Sequence, residues 1–119
     1  MELIPKEPAH ERGVLARQKY LELARRVIRE PQIEYDVLYQ RFAENDWAAV
    51  KLDEAVALKV LIVGYSPKAV SGILHQSPYV QYQVHQNKVP LAPMSQYVRS
   101  TVMKLFYMQK SQSLVDSNR

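Results

Sequence analysis

"WAAVKLDEAVALKVLIVGYSPKAVSGILHQSP", residues 47–78, decides the fold. Residues 47–63 are apolar on nearly every side, with Trp47, Val50, Leu52, Val56, Leu58, Val60, Leu61, Ile62 and Val63. A helix apolar all round belongs at the buried centre of a domain. Val60 to Val63 would also suit a short buried strand, but no second strong strand is available to pair with it, so the helix is preferred. Asp46 suits its N-cap, and Asp53 with Glu54 reads as a pair of early acids complementing the helix dipole. Gly64 stops the helix, because it adopts the left-handed conformation that a C-terminal cap uses. Ser66 then caps the next helix and Pro67 takes its first position. Ala69, Val70, Ile73 and Leu74 give that helix an apolar face. Ser77-Pro78 repeats the cap-plus-proline signature.

Outward from this stretch, residues 11–30 follow a helical pattern. Val14, Gln18, Leu21, Ala24 and Ile28 lie on one broad face, with Leu15, Tyr20 and Val27 beside them. Pro31 ends the segment. Ile33, Val37, Leu38 and Phe42 form a shorter helical stripe, with Tyr35 and Tyr39 one turn apart. Residues 78–86 read as a short helix or an extended link, and "NKVPLAPM" as a loop. A last helix runs from about Pro93 to Gln112, its core face lined by Met94, Val98, Thr101, Val102, Leu105 and Met108. The expected architecture is all-α: a single small bundle of about five helices around the buried helix 47–63, with a helix-turn-helix-like corner at 64–66. Residues 1–9 read as a flexible lead, 10–112 as one helical domain and 113–119 as a tail.

The chain has 119 residues, no cysteine and a net charge of +4. At this length roughly two-thirds of the extended-chain surface is buried, enough for a core without disulfides. The N-terminus lacks the apolar run of a signal peptide, and no stretch approaches the ~20 apolar residues of a membrane span. A cytoplasmic protein is expected. The charge is unevenly spread: residues 32–55 carry two Lys/Arg against six Asp/Glu, whereas 56–119 carry seven against one. A basic half of this kind suits a polyanion, an acidic partner, or simple solubility.

The corner carries a resemblance. Gly64, Ser66, Val70, Ser71 and Leu74 are similar to the G-x-S-x-x-x-V-S-x-x-L form of the helix-turn-helix superfamily, seen in bacterial repressor headpieces. It spans about 20 residues, 56–75. Val60 departs from the alanine usual inside the first helix, and the second helix lacks arginine and asparagine for base readout. More loosely, "ALKVLIVGYSPKAVSGILHQSP" resembles small helical domains appended to plasmid and mobile-element primases and relaxases, which carry a G-[YH]-S-x-x-x-[VI] corner, a leucine and often a Ser-Pro. Those domains are auxiliary, and this chain lacks the metal-binding acids and histidine cluster of the catalytic ones. The resemblances imply a nucleic-acid-binding or DNA-transaction accessory role. Lys68, Ser71, His75 and Gln76 would face a groove or backbone, with Arg99, Lys104 and Lys110 attracting phosphates. A plain helix–helix corner would use the same glycine stop and Ser-Pro start.

No catalytic chemistry is legible. His10, His75 and His85 form no cluster of ligands at metal-site spacing, so neither a metal nor another cofactor is expected. Ser66, Ser71 and Ser77 have no evident base. The expectation is a protein that is not an enzyme. Tyr79, Tyr82, Tyr97 and Tyr107 share the basic half with its cations; such mixtures grip single strands, although half-buried edges of a small core is the preferred reading. The alternative function is a protein–protein interaction module, an adaptor or assembly factor. It would meet an acidic partner or the acidic middle of another copy.

Overall fold

The computed structural model describes residue 8 and residues 10–117, with side chains described as far as residue 111. Most of the expected lead and the last residues of the tail lie outside the described residues. The described chain forms six helices and no strand: α1 (Glu11–Ile28), α2 (Tyr35–Phe42), α3 (Asp46–Ile62), α4 (Pro67–Leu74), α5 (Pro78–His85) and α6 (Leu91–Ser117). The all-α bundle is therefore observed, with the ambiguous segment 78–86 resolved as a helix. α6 continues to Ser117, past the expected end at Gln112.

The α3–α4 corner forms by local chemistry. Gly64 has φ +100°. Its N–H donates to Leu61 O at 3.0 Å, and the Tyr65 N–H donates to Val60 O at 3.2 Å, which is the paired closure of a Schellman motif. The Ser66 Oγ accepts the Ala69 N–H at 3.2 Å, and Pro67 opens α4. The α4–α5 corner repeats the device, with Ser77 Oγ accepting the Val80 N–H at 3.2 Å.

α3 is the axis of the bundle, packing against all five other helices. It buries Ala49, Leu52, Asp53, Val56, Ala57, Val60 and Leu61. It is not covered all round, as its composition suggested. Trp47 is 74% exposed, Ile62 62% and Val63 70%. The bundle covers one side of α3 along its length, and Trp47, Lys51, Leu58 and Ile62 share the opposite flank, which reaches the surface. α1 is rotated from the expected face: Arg17, Tyr20, Leu23 and Ala24 are buried, whereas Gln18 and Leu15 are exposed. Tyr20 outranks Leu15 because a buried acceptor awaits its hydroxyl. α6 buries Met94, Val98, Thr101, Val102 and Leu105 as expected, but Met108 is exposed, one turn beyond the end of the core.

Candidate functional site

Asp53 corrects the sequence reading most sharply. It sits mid-way along α3 rather than in its first turn, and it is fully buried. Its position follows from register: it shares the stripe of Ala49, Leu52, Val56, Ala57 and Val60. Three hydroxyls donate to its carboxylate, from Tyr20 of α1 at 2.6 Å, Tyr97 of α6 at 2.8 Å and Ser77, the cap of α5, at 3.1 Å. One side chain thus ties α1, α3, α5 and α6 together. Burial pushes the Asp53 carboxyl up to about 7, against the three hydroxyls, which pull it down by stabilising the carboxylate. Burial and the adjacent Asp53 raise the Tyr20 and Tyr97 phenols, so both stay neutral donors. Tyr79 packs its edge on Tyr97, with ring centroids 5.1 Å apart.

A second polar knot lies beside it. The Arg17 guanidinium is buried, donates to Gln76 Oε1 at 3.1 Å and Gln81 Oε1 at 3.2 Å, and stacks 4.5 Å from the Tyr35 ring centroid. The Tyr35 hydroxyl donates to Gln76 O at 2.8 Å. The first knot is buried and the second half-buried, and both bind helices to one another. The signal that could have found Asp53 is an acid in the register of Ala49, Val56 and Val60, which the dipole reading passed over; Arg17 had no comparable signal, since arginine is ordinary on a helix surface.

The residues expected to contact nucleic acid are placed as follows. Lys68 and Arg99 are exposed, and neither has an ionic or hydrogen-bonding side-chain partner among the described residues. Ser71 Oγ donates to Pro67 O at 2.9 Å, inside its own helix. His75 follows the end of α4 and is half-buried; burial lowers its pKa, which keeps the imidazole neutral at pH 7. Gln76 lies beyond α4 and accepts from Arg17. Lys104 pairs with Glu54 at 3.4 Å, and the Lys110 ammonium sits 4.8 Å from the Phe106 ring centroid. Of Tyr79, Tyr82, Tyr97 and Tyr107, Tyr97 is bound to Asp53 and Tyr82 to Glu44, whereas Tyr107 is exposed.

Helical geometry groups these cations. α4 lies between α1 and α6, on top of α3. Ala69 and Ile73 meet the α1 side, which turns Ser71 and Leu74 towards α6 and Lys68 outwards. On α6, Lys104 reaches α3, which turns the opposite flank, with Arg99 and Lys110 three turns apart, towards α4. Lys68, Arg99 and Lys110 thus border one face. No acidic residue occurs in α4 or in residues 91–111 of α6.

Among the described residues no group of histidine and carboxylate side chains is arranged to hold a metal ion, and no helix is long and apolar enough to cross a membrane. Comparison with protein-family models, curated proteins and solved structures finds no match for this chain.

Proposed function

We propose that the chain is a non-enzymatic nucleic-acid-binding or DNA-transaction accessory protein that holds phosphates on its α4–α6 face. The observation that carries this reading is the set of exposed cations Lys68, Arg99 and Lys110, with no acidic residue in α4 or in residues 91–111 of α6. Such a face attracts a polyanion without reading its sequence. Base readout is assigned no part. The outward surface of α4 offers Lys68 and Gly72, and its only other groups of reach, His75 and Gln76, lie past its end. Lys104 contributes less than its neighbours, because Glu54 already holds it.

The test is fluorescence anisotropy with a labelled random duplex and a labelled random single strand, across a salt series. With about three phosphate contacts, the logarithm of affinity falls with that of salt at a slope of roughly −2 to −3. Lys68→Glu together with Arg99→Glu lowers affinity at least about tenfold at low salt and flattens the slope, with the circular dichroism spectrum unchanged. No binding at low salt by the parent chain refutes the reading and leaves the protein-interaction module in its place.

A further inference from the structure

We infer that the chain has a second, separate binding surface: a groove between α1 and the α3–α4 corner that takes an acidic amphipathic helix of a partner protein. The groove has two neighbouring stretches of about 490 Å³ and about 270 Å³ that share Lys19 in their lining. Leu15, Tyr65 and Ile73 line the first, while Ile62 and Val63 extend the apolar floor into the second. These side chains are not stray surface residues. Leu15 is 58% exposed beside Tyr65 in the first stretch, and Ile62 and Val63 are 62% and 70% exposed in the second, so four exposed apolar groups follow one side of α1. An apolar trough of this extent on a small domain marks an interaction site.

The rim supplies the charge of the occupant. Arg12, Lys19, Arg26 and Lys59 stand along it against a single acid, Glu22. Glu22 is already matched, 3.1 Å from Arg26 and 3.8 Å from Lys19. Lys19 also reaches over the Tyr65 ring, 5.7 Å from its centroid, so the cation edges the apolar floor. Four cations and one acid leave the rim three charges positive. An amphipathic helix fits both features: apolar anchors at i, i+3 or i+4 and i+7 fill the floor, and flanking Asp or Glu meet the rim. A nucleic acid would satisfy the cations but would lay its charged backbone over Leu15, Ile62 and Val63 with no gain. The groove lies on the α1 side of α4, away from the face that includes Arg99, so this inference does not rest on the phosphate-binding reading.

The experiment pans a phage-displayed library of random 16-residue peptides on the full chain, then maps enriched synthetic peptides by amide chemical shifts and anisotropy. The expected peptides are acidic with apolar residues at helical spacing, and they shift the amides of Leu15, Ile62, Val63 and Tyr65. Leu15→Asp and the pair Lys19→Glu, Arg26→Glu each weaken binding about tenfold or more, whereas Lys68→Glu leaves it unchanged. Leu15 is exposed, so its variant keeps the fold, checked by circular dichroism. The inference is overturned by three results: enrichment of only basic or neutral peptides or of none; shifts that fall elsewhere; or sedimentation showing that copies of this chain associate and that Leu15→Asp abolishes it.

Discussion

Replacing Asp53 with asparagine should remove a specific component of the pH dependence of stability. The folded carboxyl ionises near 7 because burial outweighs its three hydroxyl donors, whereas an unfolded aspartate ionises near 3.8. Between those values the native state holds a proton that the unfolded state has released. This raised pKa therefore stabilises the fold fully at low pH, and its contribution is lost as pH rises from about 4 to about 7. A gap of roughly three units corresponds to roughly 4 kcal/mol, a large share of the ~5–15 kcal/mol that holds a domain together. Asparagine keeps the shape and cannot ionise. Urea unfolding of both proteins, followed by circular dichroism at closely spaced pH values across that window, gives a difference curve in which other titrating groups cancel. The stability of the parent relative to Asp53→Asn should fall by roughly 4 kcal/mol from the acid end to the neutral end. A flat difference curve would show that the group titrates normally. A curve rising with pH would show that Tyr20, Tyr97 and Ser77 outweigh burial, and would refute the reasoning.

Three further outcomes follow from the packing. Ser77→Ala removes a cap and a donor to Asp53, so it should cost about 2–3 kcal/mol, against about 1 kcal/mol for the exposed cap in Ser66→Ala; chemical denaturation compares them. Gly72 lies in an exposed stretch of α4 with nothing within 4 Å of an added Cβ, so Gly72→Ala should raise stability by about 0.5–1 kcal/mol; Gly64→Ala, at φ +100°, should lower it by about 1–2 kcal/mol, and thermal melts read both signs. Arg17→Met keeps an apolar stem but leaves Gln76 and Gln81 without their donor, and should cost about 2–3 kcal/mol by the same denaturation assay.

The corners and the helices were legible because their causes are local. Gly64, the Ser66-Pro67 and Ser77-Pro78 starts and the break at Pro31 act through backbone conformation and hydrogen bonds a few residues away. The candidate phosphate-binding residues were legible only as a count of charges. Ser71, Gln76 and Lys104 look alike in sequence to free polar groups. Each is engaged by an atom that sequence does not bring near it, apart from Ser71, whose partner Pro67 is one turn away. The groove was invisible for a related reason: Leu15 sits in α1 and Ile62 at the end of α3, far apart in sequence, and the corner at Gly64 sets Tyr65 against α1.

By itself the sequence determined an all-α bundle, the position of its central helix, and the two capped corners, since periodicity and capping chemistry are written within a few turns of chain. Only the tertiary structure decided which face of α1 is buried, that Asp53 is a buried acid with a raised pKa at the junction of four helices, and that an apolar flank of α3 stays exposed. Those outcomes depend on what each side chain meets across the bundle: an acceptor drew Tyr20 inwards, three hydroxyls made a buried acid tolerable, and among the described residues no helix covers Ile62 and Val63.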